Sequence, residues 1–294
     1  MKIFDLTQQY QTISREIESK IAKIFKSGQY ILGKNVLEFE RRFSKMVGAK
    51  YAVSCNSGTD ALILSLKTLN IKKGDEIITT PFTYFATAEA IVLSGAKPVF
   101  VDIDPLTFNI NHKLLEKSIS KKTRAILPVH IFGQSSAMHE IRKISKKYNL
   151  KLIEDCAQST GSLIGKKMTG SFGDFGCFSF FPTKNLGAAG DAGIIVTSNK
   201  NFAEKLKKLR NHGGLNRNTH ESIGLNSRMD EIQAAILLVK LKYIDSFNKK
   251  RNLIAEMYNK LIINKKIIIP YKVPNTYHVY HQYTLRVKNR KKFI

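Results

Sequence analysis

Short, continuous apolar runs alternate with helix-like stretches along the first half of this chain, and that alternation limits the possible folds more than any other feature. Tyr51–Cys55, Glu76–Thr80, Pro98–Asp102, Ala125–His130 and Leu152–Asp155 read as buried strands. Between them Thr59–Leu69, Ala86–Ser94, Asn111–Ile119 and Ser136–Tyr148 carry helical spacing. Strands apolar on both faces and separated by helices form a mainly parallel sheet covered on both sides. Such a sheet binds ligands in the crevice beyond the carboxyl ends of its strands. Cys55, Thr80, His130 and Asp155 all fall there. Upstream, Ile13, Ile17, Ile21 and Ile24 mark an amphipathic N-terminal helix.

A long helix is expected from about Met229 to Leu261, with Ile232, Ile236, Val239 and Tyr243 along one face. Lys266–Pro270 and Val279–Val287 then look like strands of a new unit. We therefore expect a large domain over residues 1–245, including the N-terminal helix, and the start of a small, incomplete α+β domain over 246–294.

Composition removes several classes. At 294 residues and 43% hydrophobic content the chain has the make-up of an ordinary globular protein. No apolar run approaches the roughly 18 residues of a membrane span, and Met1-Lys-Ile-Phe-Asp-Leu-Thr7 lacks the apolar heart of a signal peptide. Three cysteines, Cys55, Cys156 and Cys177, form no CxxC pair, so neither disulfides nor zinc or another metal is expected, and a reduced, cytoplasmic location follows. The net charge of +25 points toward nucleic acid, but its lysines are scattered and no arginine stripe with interleaved aromatics accompanies them. It reads as a lysine-biased solvated surface.

The chemistry concentrates at strand ends. Ser57-Gly58-Thr59 opens a helix directly after a strand, either as a plain N-cap or as an anion site built from backbone N–H groups and hydroxyls. GxGxxG after the first strand and GxxxxGK[ST] are both missing, which disfavours nicotinamide and P-loop readings. Tyr84, with Phe82 as second choice, either stacks on a planar ring or packs its loop onto the core. Asp155 is a helix cap or the partner of a ring nitrogen, with Gln158 a turn later. Lys184 lies in a Pro- and Gly-bounded loop between the strand-like runs Phe175–Phe181 and Gly193–Thr197. It is one surface lysine among many or an amine positioned for Schiff-base chemistry. Phosphate donors, a stacker, an acid and an amine, supplied in order by successive strand ends, together read as a pyridoxal phosphate site.

These residues match a known pattern. Ser27-Gly-Gln-Tyr-Ile-Leu-Gly33, Asn56-Ser-Gly-Thr-Asp-Ala-Leu62, Phe82-Thr-Tyr-Phe-Ala-Thr-Ala-Glu89, Pro98-Val-Phe-Val-Asp-Ile-Asp104 and Pro128-Val-His-Ile-Phe-Gly-Gln134 run in order. Glu154-Asp-Cys-Ala-Gln158, Phe178-Ser-Phe-Phe-Pro-Thr-Lys-Asn-Leu-Gly187 and Gly224-Leu-Asn-Ser-Arg-Met-Asp-Glu-Ile-Gln-Ala-Ala235 follow. The chain resembles the DegT/DnrJ/EryC1/StrS family of sugar aminotransferases. The resemblance implies the fold type I architecture of pyridoxal phosphate-dependent transferases, an α/β fold with a mainly parallel central sheet between helices. It implies that Lys184 forms the Schiff base and shuttles protons, and that Asp155 pairs with the pyridine nitrogen. It places Gly58, Thr59 and Ser179 on the phosphate, with Ser57 beside them, and Gln158 by the phenolate oxygen. Asn226 would reach the cofactor of a second subunit in a homodimer. The implied substrates are a nucleotide-linked keto-deoxysugar and an amino donor, glutamate. Relatives with histidine in place of the lysine dehydrate instead, so Lys184 favours transamination over a dehydratase. The other readings are a different fold type I transaminase and a catalytically idle regulatory or scaffold paralogue. The chain departs from the family at Asn218, where a tyrosine often stands, and in ending at Ile294, ahead of the rest of the expected small domain.

Overall fold

In the computed structural model, which describes residues 5–216 and 218–293, the predicted strands assemble into one seven-stranded sheet. They are β1 (Tyr51–Cys55), β2 (Glu76–Thr79), β3 (Lys97–Phe100), β4 (Thr123–Ile126) and β5 (Lys151–Asp155), with β8 (Phe175–Ser179) and β9 (Gly193–Thr197). Their spatial order is β1-β9-β8-β5-β4-β2-β3. Neighbours from β8 to β3 pair in parallel, while β9 runs antiparallel to both β1 and β8. β9 is thus the single reversed strand of that sheet. The hairpin joining β8 to β9 carries Lys184. The two-residue strand β6 (Leu163–Ile164) pairs with both β7 (Lys167–Met168) and β11 (Thr276–Tyr277), and β10 (Ile267–Ile268) pairs with β12 (Arg286–Val287).

Helices cover both faces: α1 (Thr7–Ser27), α2 (Lys34–Val47), α3 (Gly58–Thr68), α4 (Ala86–Leu93), α5 (Met138–Lys147), α6 (Lys200–Leu209), α7 (Glu231–Leu241) and α8 (Ile244–Leu261), with the short α9 (Arg290–Phe293). On one face Leu64 and Leu66 of α3 pack in one cluster with Phe175 of β8 and Leu206 of α6. On the other, Phe39 and Phe43 of α2 meet Phe178 and Phe180 edge-on at ring separations of 5.0–5.3 Å. All four phenylalanines are fully buried, each contributing roughly 1.5–3 kcal/mol from apolar burial. Ile13 and Ile17 of α1 seal against Ile236 and Val239 of α7.

Four expectations need correction. The helix predicted over Asn111–Ile119 is two single 3-10 turns, His112–Leu114 and Glu116–Ser118. The Asn111 side chain accepts from the Lys113 amide and so competes with a continuous helical ladder. The long helix from Met229 to Leu261 breaks at Lys242-Tyr243, where both side chains turn to Glu16 of α1. The strand predicted over Val279–Val287 keeps only Arg286–Val287, and Lys266–Pro270 keeps only Ile267–Ile268. Tyr280 adopts φ 41°, which no strand accommodates. That segment instead lies on the loop after β4, with the Val279 amide on the Gly133 carbonyl and the Gln282 amide on the Phe132 carbonyl. α2 and α6 are helices that the strand-by-strand sequence reading passed over.

Candidate active site

The carboxyl ends of β1, β5 and β8 and the β8–β9 hairpin enclose a cavity of about 460 Å³ lined by Ser57, Gly58, Thr59, Tyr84, Asp155, Gln158, Ser179 and Lys184. Eight of the nine expected site residues therefore meet in one place. Asn226 does not. It is exposed, bridged antiparallel to Asn211 and outside this cavity.

At one end, β1 stops at Cys55 and the chain turns directly into α3. Ser57 caps that helix, its Oγ accepting from the Asp60 amide at 3.0 Å. The Ser57 hydroxyl is thus a cap, the plainer of its two sequence readings. The cap leaves the Gly58 and Thr59 amides at the helix start without a partner among the described residues. Four such orphan donors open every α-helix, and an anion suits them. Only glycine fits at position 58, because a Cβ there would lie 2.6 Å from the Ser179 Cβ. The two strand ends converge so closely that the Ser179 hydroxyl sits beside the helix start.

At the other end Asp155 is nearly buried, at 5% exposure. Burial pushes its pKa up. Hydrogen bonds from the Ala157 amide to Oδ1 (3.1 Å) and from Thr87 Oγ1 to Oδ2 (2.9 Å), with the charge of Lys184, pull against that rise. Lys184 lies on the loop between these ends. Burial lowers its pKa, and the negative charge of Asp155 opposes the shift. The loop is pinned from outside by Lys240 Nζ on the Gly187 carbonyl at 2.8 Å and by Gln233 Oε1 on the Ala189 amide at 2.9 Å. Rigid flanks of this kind hold one amine at a fixed distance from one carboxylate.

Gln158 also faces the cavity, its Oε1 accepting from the Phe132 amide at 2.6 Å. That leaves the amide nitrogen as the donor available to a ligand oxygen. Tyr84 is a 76%-exposed wall residue. Phe82 packs away, stacked on Phe108 at 5.5 Å and edge-on to Phe132, so the second-choice stacker is loop packing. Thr87, Asp191, His281 and Gln282 also line the cavity, and the sequence reading missed them. Thr87 had a signal, since it lies one helical turn after Thr83, whose hydroxyl it meets at 2.8 Å. His281 had none, because its segment reads as a strand.

A buried cluster of His130, Glu154 and Cys156 has the spacing of a metal site, but Glu154 is already saturated. Its two oxygens accept from the Gly170, Phe172 and Gly173 amides and face His130 Nε2. It is a knot that fixes the loop before β8.

The residues present fit a flat, phosphorylated aldehyde. Open helix amides and a hydroxyl stand at one end, a buried carboxylate at the other, and a desolvated amine lies between them.

The model of the DegT/DnrJ/EryC1/StrS aminotransferase family matches residues 11–294. The chain is 42% identical to a pleiotropic regulatory protein of Geobacillus stearothermophilus over 98% of this chain and 78% of that one. It is 44% identical to the dTDP-3-amino-3,6-dideoxy-alpha-D-galactopyranose transaminase of Aneurinibacillus thermoaerophilus over 98% of this chain and 80% of that one. Among solved structures it is similar to S. venezuelae DesV in complex with a ketimine intermediate, with a TM-score of 0.95 and 38% identity, covering 98% of this chain and 78% of DesV. With its lysine, carboxylate and helix start gathered in one cleft, this chain belongs to the DegT/DnrJ/EryC1/StrS aminotransferase family.

Proposed function

We propose that the chain transfers an amino group from an amino acid, glutamate, to the keto carbon of a nucleotide-linked deoxysugar. Its family is one of pyridoxal phosphate-dependent aminotransferases, and a transaminase of a dTDP-linked aminosugar is among its relatives. The observation that carries the reading is the Lys184–Asp155 pair sharing one cavity with the start of α3.

Pyridoxal phosphate, when bound, supplies an electron sink for the carbon that gains or loses the amine. The Gly58 and Thr59 amides and the Ser179 hydroxyl would hold its phosphate. Asp155, which accepts from Thr87 and the Ala157 amide, would pair with its ring nitrogen, and Gln158 would donate to its ring oxygen. Lys184 would anchor it and, with burial favouring the neutral amine, would take the proton from the donor's α-carbon. Tyr84 would stand beside it as a wall of the cavity.

Asn226 is exposed and is not among the residues lining its own subunit's cavity. Its neighbour Ser227 is locked to the start of α3, accepting from the Asn56 amide and donating to Asp60 at 2.6 Å. We read Asn226 as completing the site of a second subunit in a homodimer, as isologous pairs allow. Residues 1–245 then form the large domain and 246–294 belong to a second, small one, in a cytoplasmic enzyme of aminosugar and polysaccharide biosynthesis. No helix among the described residues is long and apolar enough to cross a membrane. One relative bears a regulatory name, but a desolvated lysine beside a buried carboxylate serves chemistry rather than scaffolding.

The test is a panel of dTDP- and UDP-linked 3-keto and 4-keto hexoses with glutamate, followed by mass spectrometry. An aminosugar nucleotide is expected from at least one member, and no product from any would sink the reading. For the dimer, inactive Lys184→Ala mixed with inactive Asn226→Asp should regain activity. Proven subunit exchange without recovery would return Asn226 to its own subunit.

A further inference from the structure

His281 lines the same cavity as Lys184 and Asp155, and its protonation pattern can be worked out from its neighbours. Asn185, the residue after Lys184, is 5% exposed. Its amide nitrogen donates to the Val279 carbonyl at 3.0 Å and to Asn248 Oδ1 at 2.8 Å. A backbone carbonyl only accepts, so this contact fixes which end of the Asn185 amide is nitrogen. Asn248 agrees, since its own nitrogen donates to the Thr160 carbonyl at 3.1 Å and leaves its oxygen free to accept. Asn185 Oδ1 therefore faces His281 Nδ1 at 3.2 Å, and an amide oxygen cannot donate. The hydrogen of that bond sits on Nδ1.

A neutral imidazole with a proton on Nδ1 carries a bare lone pair on Nε2. Burial, then the positive charges of Lys184 and Arg251, push the His281 pKa down to about 3, so the ring stays neutral at working pH. No described residue bonds Nε2. The segment is rigidly held, with Arg251 on the Tyr280 carbonyl at 3.2 Å and Gln282 on the Phe132 carbonyl at 3.3 Å. The cavity thus contains a fixed hydrogen-bond acceptor, next to the side chain of Gln282, whose amide both donates and accepts. A pair of that kind suits the hydroxyl groups of a sugar, each of which does both.

We propose that His281, locked by Asn185 as its Nδ1–H tautomer, accepts a hydrogen bond at Nε2 from a hydroxyl beside the reacting carbonyl of the keto-sugar. This rests on the function proposed above. It makes His281 a residue of the sugar half of the reaction, with no part in taking the amine from the donor.

The first measurement is ¹⁵N NMR of histidine-labelled protein with cofactor. His281 should show a protonated Nδ1 and a bare Nε2 from pH 6 to 8, and the reverse tautomer or a charged ring would overturn the proposal. The second follows the two half-reactions separately by stopped-flow absorbance of the cofactor. In His281→Phe the glutamate half should stay within about twofold of wild type. The apparent Kd for a 3-keto hexose linked to dTDP or UDP should rise about tenfold, the scale of one lost hydrogen bond to a ligand. His281→Gln, which restores an acceptor, should recover part of that loss. Equal slowing of both halves would mean that the ring serves Lys184, and an unchanged sugar half would mean that it serves packing alone. Either overturns the proposal while leaving the function standing. If the wild type aminated no sugar of the panel, the function would fall, and the proposal with it.

Discussion

The turn from β1 into α3 and the segment His278–Gln282 both border the Lys184 cavity, but different forces put them there. The turn is local. Ser57 caps its own helix three residues on, Gly58 removes the side chain that would strike Ser179, and β1 delivers both to the sheet's carboxyl edge. The second segment has almost no structure of its own. His278 and Tyr280 stack at 3.9 Å, and Tyr280 takes a left-handed φ. Beyond that stack and the Tyr280 amide donating to His278 Nδ1 at 2.9 Å, the hydrogen bonds that hold it come from residues distant in sequence: Gly133, Phe132, Asn185, Asn252 and Arg251. A site built in this way has one wall that folds with its strand and another that forms only once the helices have docked. Damage to the first should show in cofactor binding, and damage to the second in substrate handling with the cofactor in place.

The largest effect belongs to neither wall. Lys184→Ala should abolish amino transfer and the near-visible absorbance of the cofactor linked to the lysine through its C=N bond, with circular dichroism unchanged, because no second amine lies in the loop. Turnover at the wild-type rate, or borohydride labelling of another lysine, would remove the centre of the comparison.

Asp155→Asn should cost about 10³–10⁴-fold in kcat, the scale on which a wrongly protonated partner slows a catalytic group, while most of the cofactor stays bound. A near-normal rate would reduce Asp155 to a cap for the Ala157 turn.

Gly58→Ala strikes the local wall. Its new Cβ meets the Ser179 Cβ at 2.6 Å, and overpacking of that kind costs roughly 1–3 kcal/mol. Cofactor affinity, read by titration with pyridoxal phosphate, should fall roughly tenfold to a hundredfold. The sugar-to-donor preference of whatever holoenzyme forms should not change. A shift in that preference would show that the two walls are not separable.

The smallest effect is on pH. Burial lowers the Lys184 pKa below its ordinary 10.5, and Asp155 acts in the opposite direction. The neutral amine is the one that captures the cofactor, so the capture rate should rise with pH through a midpoint below 10.5. Removing the negative charge in Asp155→Asn takes away the opposing influence, so that midpoint should move lower still. Movement upward would place the two side chains out of electrostatic reach.

Strand and helix periodicity, strand-end chemistry and the family pattern were enough to name Lys184, Asp155, Ser179, Gln158 and the Ser57–Thr59 turn, because each stands where a strand ends or a helix begins. Such positions are written locally: an apolar run stops and a capping or glycine residue follows. Thr87 needed one more step, the knowledge that α4 turns that face of itself toward β5. The break at Lys242-Tyr243 was not legible, because helical spacing continues across it and only the pull of Glu16 on α1 interrupts the helix. The role of the segment at His281 was least legible of all. An alternating apolar stretch has the same pattern whether it joins a sheet or lies across a loop, and which occurs depends on what partner edge is within reach. Here the docking of Val279 on Gly133 and the amide of Asn185 decided it. The sequence by itself determined the sheet, the cap and the lysine and carboxylate that share the cavity, since periodicity and turn chemistry act over a few residues. Tertiary structure alone decided which imidazole nitrogen of His281 meets Asn185 and that Asn226 stands outside the cavity, since both depend on contacts between separate segments of the chain.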